Sequence, residues 1–218
     1  MHARISGIVS IFPTSNYLID VGSDHGYLGL ELLKQQKINK VLNIDLSKEA
    51  LENSKKIYGR FGLEEHATFA NNDGFKNLNN IPHDAVAVIA GMGSAQILKI
   101  LENLPDNITK LIFLSHTDYY SLRKWAVAHF FNIEKEKYID DGELQYLTLL
   151  LSREINMDHY SEEELIFGKL SFRENQIPLF EKYWRFRASR ILNIPAKYRS
   201  NIETATINYL KSESIIHE

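Results

Sequence analysis

Residues able to bind a charged ligand are concentrated in a turn that two glycines, Gly22 and Gly26, bracket. The segment reads Asp20-Val-Gly-Ser-Asp-His-Gly-Tyr27, so it carries two carboxylates and an imidazole. The apolar run over residues 17–21 predicts a buried strand, and leucines at helical spacing after the turn predict a helix. A strand that passes through a glycine turn into a helix aims free backbone N–H groups and the helix N-terminus at one point. The segment therefore predicts the ligand-binding corner of an α/β fold.

Two further carboxylates, Asp45 and Asp73, follow the second and third predicted strands. Open α/β sheets bind ligands at the carboxyl ends of their strands, so Asp20, Asp45 and Asp73 are expected to lie near one another. An acid at the position of Asp45 is where a nucleotide-binding fold hydrogen-bonds a ribose. Asp20 is expected either to accept a hydrogen bond from the cofactor's amino group or to support the turn.

The charge of this turn indicates which cofactor it binds. The spacing of Gly22 and Gly26 does not give the Gly-x-Gly-x-x-Gly pattern that cradles a pyrophosphate, and crowded carboxylates would repel one. S-adenosylmethionine carries a sulfonium and an amino group but no phosphate, so an acidic turn attracts it. A methyltransferase is predicted. A nicotinamide-dependent oxidoreductase and an inactive RNA-binding module on the same fold are the alternatives.

Residues on both sides of the expected cofactor have two interpretations each. His25 is either a hydrogen-bonded turn residue or a group that orients the acceptor or relays a proton. Tyr27 either stacks on a base or packs at the start of the helix. Gly91-Met92-Gly93 follows an apolar strand, and it forms either a tight turn or a loop that faces the acceptor.

The pattern of elements predicts an α/β fold with a Rossmann-like class I methyltransferase sheet, because strands and helices alternate five times and an antiparallel hairpin closes the sheet edge. A C-terminal helical hairpin is expected to follow, with a catalytic domain over residues 1–155, a helical domain over 156–218 and the boundary near 152–160. Helix signals there are a capping box at Ser161, Pro178 in a first turn, and a predicted apolar face of Tyr198, Ile202, Ala205 and Tyr209.

The predicted strands are 17–21, 41–44, 67–70, 85–90, 110–114, 132–138 and 144–151, and the predicted helices before residue 130 are 1–12, 27–35, 48–58, 95–104 and 121–129.

A basic segment over residues 182–199 has six cations, no acids and interleaved aromatic residues. Such a segment indicates a surface that contacts phosphates, or else the solvated face of a helix. The predicted RNA-binding residues are Lys182, Arg185, Arg187, Arg190, Lys197 and Arg199.

Composition excludes several classes of protein. A formal net charge of -3 gives no global sign of nucleic-acid affinity, so an RNA partner must be recognised locally. With no cysteine, disulfide scaffolds and thiolate zinc sites are excluded, and no metal site is predicted. No apolar run reaches the length of a membrane span and no secretion signal begins the chain, so a cytoplasmic protein is expected. Its oligomeric state is open, with a monomer preferred.

Four segments together resemble the bacterial tRNA (adenine-22-N1)-methyltransferase family: the Asp20 to Leu28 turn, Asn72-Asp-Gly74, Ile89-Ala-Gly-Met-Gly93 and Asp140-Asp-Gly-Glu-Leu-Gln-Tyr146. The resemblance covers essentially the whole chain. It implies a Rossmann-like domain that binds S-adenosylmethionine, a C-terminal helical, coiled-coil-like domain, and an adenine in the D-arm of tRNA as substrate. It also implies that Asp24, His25 and Tyr27 lie near the target base and act as the catalytic residues. The predicted cofactor-binding residues are Asp20, Gly22, Ser23, Gly26, Asp45, Leu46, Asn72, Asp73, Gly74, Gly91, Met92 and Gly93.

The chain departs from the family pattern at three places. Gly26 stands where the family usually has Ala, Ser94 stands where it has a second Gly, and Ser115-His116-Thr117 replaces a Gln-Pro-Asn motif. The last departure puts an acceptor-loop role of Ser115 or His116 in doubt.

Overall fold

A twisted seven-stranded sheet forms the centre of the protein, whose computed structural model describes residues 2–153 and 158–217. The strands lie in the order β3-β2-β1-β4-β5-β7-β6. Their bounds are β1 Tyr17–Val21, β2 Lys40–Asp45, β3 Ala67–Asn71, β4 Val86–Met92, β5 Lys110–Ser115, β6 Phe131–Asp140 and β7 Gln145–Arg153. The helices are α1 Ala3–Ile11, α2 Tyr27–Lys34, α3 Lys48–Arg60, α4 Ser94–Leu101, α5 Tyr119–Ala128, α6 Glu162–Phe167, α7 Leu170–Arg173, α8 Ile177–Leu192 and α9 Asn201–Ser212.

The pairing of the strands confirms the predicted class I methyltransferase sheet. Strands β1 to β5 are parallel, whereas β7 runs antiparallel to both β5 and β6. Strands β1 and β4 are buried over most of their length because helices cover both faces of the sheet. The carboxyl ends of the five parallel strands therefore meet at one edge.

Several predicted boundaries need correction. Helix α3 ends at Arg60, two residues beyond its predicted end at residue 58. Strand β4 continues through Gly91 to Met92, with a bulge between Ala90 and Met92. No helix separates β3 from β4 in the described residues 72–85, so the strand and helix alternation is broken there. Turn-forming Asn, Asp and Gly residues in this connection are the physical reason.

The C-terminal helices pack against the sheet through β6, β7 and α5. Phe167, Phe180 and Trp184 belong to the same hydrophobic core as the strands. The capping box at Ser161 and Pro178 in the first turn of α8 are confirmed. The predicted face of α9 is partly wrong, because Tyr198 and Ala205 are exposed. The buried residues of α9 are Thr206, Ile207 and Leu210. The predicted boundary after residue 155 lies outside the described residues, and the division into two domains stays a prediction.

One buried ion pair joins three of these elements. Arg123 of α5 makes a bidentate contact with Glu136 of β6, at 2.7 and 2.8 Å, and both side chains are fully buried. The same guanidinium donates to the carbonyl oxygens of Leu165 and Ile166 at the end of α6. A planar guanidinium matches a carboxylate fork geometrically and leaves N–H groups for further acceptors. Arg123 thus fixes α6 against the sheet.

Neither a membrane-spanning helix nor a metal-binding cluster occurs among the described residues. None of their helices is both long and apolar enough to cross a membrane. No group of three or more His, Cys, Asp or Glu side chains in the described ranges is arranged to hold a metal ion.

Candidate active site

The turn after β1 is held in place by the neighbouring strand. The backbone N–H groups of Gly22 and Ser23 both donate to the carbonyl oxygen of Ile44 in β2, at 2.8 and 3.0 Å. The N–H of Gly26 donates back to the carbonyl of Ser23 at 2.7 Å and closes the turn. Gly22 and Gly26 adopt φ of +73° and +68°, which favours glycine. The sequence thus folds locally as predicted.

The surroundings of Gly26 explain one departure from the family pattern. A Cβ atom at Gly26 would overlap Ser54 Oγ and lie 2.9 Å from the ring of Tyr58. Ser54 Oγ and the Tyr58 ring fill this space, and the Tyr58 hydroxyl donates to the Gly26 carbonyl oxygen at 2.8 Å. An alanine at this position would require both neighbours to move, so glycine accompanies Ser54 and Tyr58 in this chain.

Asp20 is a buried carboxylate at the end of β1. Only 4% of the surface of Asp20 is exposed to solvent. Burial, with a smaller contribution from the nearby carboxylate of Asp45, raises the pKa of Asp20 from 3.8 to about 7. A low-dielectric environment disfavours the charged form, and a second negative charge adds to that effect. A cationic ligand group would offset both costs.

Asp45 connects the first two turns at this edge of the sheet. One carboxylate oxygen accepts the N–H of Asp24 at 2.9 Å, and the other accepts the N–H of Ser47 at 2.8 Å. The side-chain amide of Asn71 donates to the carbonyl oxygens of Asp45 and Leu46. Asp45 therefore shapes the turn after β1 as well as the entry to α3.

The third predicted carboxylate lies in a turn that is stabilised locally. Asp73 is half exposed and contacts Lys76 Nζ at 2.5 Å, and this cation holds the pKa of Asp73 below its usual range. Asn72 closes the turn by donating to the carbonyl oxygens of Gly74 and Lys76. The position at the end of β3 agrees with the prediction, but Asp73 already has a cationic partner.

A cleft of about 370 Å³ opens beside the turn. It brings together Asp20, Gly22, Ser23 and Gly91 from the predicted cofactor set and all three predicted catalytic residues, Asp24, His25 and Tyr27. The remaining predicted cofactor residues lie outside its lining: Gly26, Asp45, Leu46, Asn72, Asp73, Gly74, Met92 and Gly93. Gly91 forms the β4 bulge with φ of +79°, so this part of the chain is a strand end rather than a tight turn.

Helix α1 contributes a wall of the cleft that sequence reasoning missed. His2, just before the helix, and Arg4, Ile5 and Ile8 within it all line the cleft, although none of them is among the predicted site residues. The Arg4 guanidinium lies 5.5 Å from the ring centroid of Tyr146 in β7. The sequence signal for this wall was Arg4, a cation among the apolar residues of a short helix. Its partner Tyr146 is more than 100 positions away in the sequence.

The residues of the cleft fit S-adenosylmethionine better than a phosphate cofactor. Buried Asp20 would hold a cationic amino group. Ser23 Oγ is buried and has no hydrogen-bond partner within the described part of the protein, so it is available to a ligand. The backbone at Gly22 passes so close to Met92 Cε that a side chain would fill the gap. Carboxylates and a glycine backbone without side chains together fit a cationic cofactor that has no pyrophosphate.

Gly22→Ala is expected to weaken S-adenosylmethionine binding about tenfold or more. Alanine is strained at φ of +73° by about 1 to 2 kcal/mol, and its Cβ would overlap Met92 Cε, so that Met92 or the turn itself has to move. Isothermal titration of both proteins measures the change. Gly62→Ala is the matched control, since Gly62 has φ of +65° with no atom within 4 Å of an added Cβ. The control should lose similar stability and keep the wild-type Kd; equal Kd values for all three proteins would contradict the assignment.

The six predicted RNA-binding cations do not form one uniform surface. Four of them make contacts within the protein: Lys182 with Asp140, Arg185 with Glu181 and the carbonyl of Ile215, Arg187 with the carbonyl of His116, and Arg199 with the carbonyls of Ile194 and Leu192. Arg190 and Lys197 are exposed, and each lies over an aromatic ring, of Phe186 and Tyr198 respectively.

Comparison with known proteins agrees with this geometry. The family model for tRNA (adenine(22)-N(1))-methyltransferase matches residues 18–217. A Mycoplasma pneumoniae protein, named as a candidate tRNA methyltransferase, is 30% identical over 81% of this chain and 84% of its own length. The Bacillus subtilis tRNA (adenine(22)-N(1))-methyltransferase is 25% identical over 67% and 63%. The structure of M. capricolum TrmK with S-adenosyl-homocysteine is 26% identical, covers 98% of both chains and superposes with a TM-score of 0.84. The chain therefore belongs to the tRNA (adenine(22)-N(1))-methyltransferase family.

Proposed function

We propose that this chain transfers the methyl group of S-adenosylmethionine to N1 of adenine 22 in the D-arm of tRNA, at the cleft between α1 and the turn after β1. The observation that carries the proposal is that buried Asp20, half-buried His25 and exposed Asp24 and Tyr27 line one cleft. The family supports this reaction over a nicotinamide-dependent oxidoreductase. With tRNA as substrate, the enzyme is proposed to act in the cytoplasm as a monomer.

The first half of the turn is assigned to the methyl donor. S-adenosylmethionine supplies a methyl group on a cationic sulfur when it is bound. Asp20 and Ser23 hold its polar groups, and Gly22 and Gly91 leave room for it. Asp45 keeps this half of the turn in place through the N–H of Asp24.

The second half of the turn is assigned to the adenine. Asp24 Oδ1 lies 3.7 Å from His25 Nε2, and the rings of His25 and Tyr27 are 5.9 Å apart. Adenine N1 is already a nucleophile, so alignment with the methyl group is the main task of the enzyme. N1 is hidden in a paired base, which therefore has to be exposed and received in a pocket. Methylation makes the ring cationic, and the Asp24 carboxylate stabilises that developing charge.

Asp24→Asn is expected to slow methyl transfer about 10- to 100-fold at saturating tRNA, because the neutral amide removes the charge that stabilises the product-like ring. The Kd for S-adenosylmethionine should stay within about twofold of wild type. Single-turnover transfer of labelled methyl groups measures the rate. Asp141→Asn, at the exposed tip of the β6–β7 hairpin, is the matched control. A wild-type rate for Asp24→Asn would contradict this role.

The C-terminal helices are proposed to hold the tRNA backbone, chiefly through Arg190 and Lys197. The other four predicted cations already have acceptors within the protein, so a phosphate would have to compete for them. Exposed guanidinium and ammonium groups beside aromatic rings are suited to contact phosphates and unstacked bases.

The double variant Arg190→Glu/Lys197→Glu is expected to weaken tRNA binding at least tenfold in low salt and to flatten its salt dependence, because fewer counterions are released. Filter binding over a salt series measures both quantities. Lys56→Glu/Arg60→Glu, at two exposed positions near the C-terminal end of α3, makes the same change in net charge and is the control. An unchanged salt slope would show that Arg190 and Lys197 do not contact phosphates and belong to the solvated surface of the helices.

A further inference from the structure

His116 lies at the rim of the cleft, in the loop that follows β5. Its backbone N–H donates to the carbonyl of Met92 at 2.9 Å, which ties the loop to the end of β4. Its Nε2 atom is 4.0 Å from the position that a Cβ of Gly91 would occupy. Gly91 lines the cleft, and apart from its chain neighbours no other atom of the described residues lies within 4 Å of this position, so the space between the imidazole and this lining residue is open.

The same imidazole has an aromatic neighbour on the other side. Its ring centroid is 6.1 Å from that of Tyr146, at an interplanar angle of 59°. Tyr146 is buried and also carries the guanidinium of Arg4, which is another lining residue of the cleft. His116 is exposed, and through Tyr146 it is connected to Arg4 at the edge of the cleft.

The loop around His116 is fixed by several hydrogen bonds. Thr117 Oγ1 accepts the N–H of Ser94 at 2.9 Å and lies 3.1 Å from Ser94 Oγ. The N–H of Thr117 donates to Ser115 Oγ at 3.1 Å. Arg187 Nη1 of α8 donates to the carbonyl oxygen of His116 at 3.2 Å. Ser94 and the Ser115-His116-Thr117 segment, where this chain departs from the family pattern, therefore contact each other as one set.

We propose that His116 is a further contact to the methyl acceptor, with an imidazole nitrogen hydrogen-bonded to the edge of the target adenine, and that Arg187 is a positioning residue for its loop. The inference rests on the proposed function. A hydrogen bond is assigned because Nε2 faces the open space above Gly91 while the ring already has Tyr146 as a neighbour. Ordered side chains around a polar contact lower the cost of aligning the base.

Three variants test the contact. His116→Phe keeps an aromatic ring without nitrogen, and it is expected to lower the single-turnover rate about 10- to 100-fold. His116→Gln keeps a hydrogen-bonding group and should retain the rate within about fivefold. His83→Phe, an exposed histidine ahead of β4 at the opposite edge of the sheet, is the control. Melting temperatures and the Kd for S-adenosylmethionine should match wild type in all three.

The positioning role of Arg187 is tested by a separate measurement, because Arg187 acts through His116. Arg187→Met should lower kcat by about 3- to 10-fold and leave KM for tRNA unchanged, since it disorders a loop without removing a phosphate contact. A rise in KM with unchanged kcat would instead make Arg187 part of the tRNA-binding surface. With an active wild-type enzyme, two results would overturn the proposal. One is methyl transfer by His116→Phe at the wild-type rate, and the other is loss of S-adenosylmethionine binding by the same variant. Inactive wild-type enzyme would refute the proposed function itself.

Discussion

Asp20→Asn is expected to stabilise the protein at pH 8 while it weakens S-adenosylmethionine binding about 10- to 100-fold. Burial, with a contribution from Asp45, raises the pKa of Asp20 to about 7, so at pH 8 the folded protein keeps a charge in a site that disfavours it. Asparagine has nearly the same shape and no charge. It removes this cost and also removes the partner of the cationic cofactor.

The sign of the pH dependence follows from proton binding. The unfolded chain loses the Asp20 proton near pH 4, whereas the folded chain keeps it until about pH 7. Between these values the folded state binds more protons, so the contribution of Asp20 to stability falls as pH rises through the window. Above pH 7 the full cost is present, up to about 4 kcal/mol for a difference of about three pH units. Below pH 4 the wild-type and Asp20→Asn proteins should be equally stable.

Urea unfolding at pH 4.5 and pH 8, without cofactor, measures this difference. The difference in unfolding free energy between Asp20→Asn and wild type should favour the variant at pH 8, and it should be clearly larger there than at pH 4.5. For the wild type, cofactor affinity should rise with pH up to about 7 and then level off, because the ionised carboxylate binds the cation. A destabilised Asp20→Asn protein at pH 8 would show that the carboxylate is a structural support of the turn.

Arg123→Met is expected to cost about 3 to 5 kcal/mol of unfolding free energy, because it leaves the fully buried carboxylate of Glu136 unpaired. The carbonyl oxygens of Leu165 and Ile166 lose their donor as well. Since these carbonyls end α6, the C-terminal helices should lose their attachment to the sheet first.

Chemical unfolding followed by tryptophan fluorescence measures the loss, because Trp184 lies in the affected core. Lys169→Met is the matched control: its partner Asp158 is half exposed at 2.6 Å, so the loss should stay below about 1 kcal/mol. The double variant Arg123→Met/Glu136→Met should recover much of the stability, since it leaves no buried charge. Equal losses in Arg123→Met and Lys169→Met would contradict the structural role of the buried pair.

Local signals predicted the fold and the corner of the site well. The turn after β1 is confirmed because glycines at Gly22 and Gly26 and the strand before them act over a few residues. The β6–β7 hairpin is confirmed for the same reason, since its turn residues are adjacent in sequence. The five-fold alternation of strands and helices, which fails between β3 and β4, and the predicted burial of Ala205 were misjudged where the local pattern was weak.

The far wall of the cleft could not be predicted, because it is assembled from distant parts of the chain. Arg4 meets Tyr146, and Arg187 meets the His116 carbonyl, only when the sheet and helices have packed. Composition suggested one basic surface over residues 182–199, yet folding directs Arg187 towards the loop after β5. Spacing in the sequence does not encode such partners, which tertiary packing selects.

The most direct test of the central claim is to locate the methyl group on the product. Unmodified tRNA is incubated with the protein and S-adenosylmethionine, and its nucleosides are mapped by mass spectrometry. The proposed function predicts one new 1-methyladenosine, at position 22, which Asp24→Asn forms much more slowly. A methyl group on another atom or another nucleotide, or no transfer by a protein that binds both substrates, would contradict the assignment.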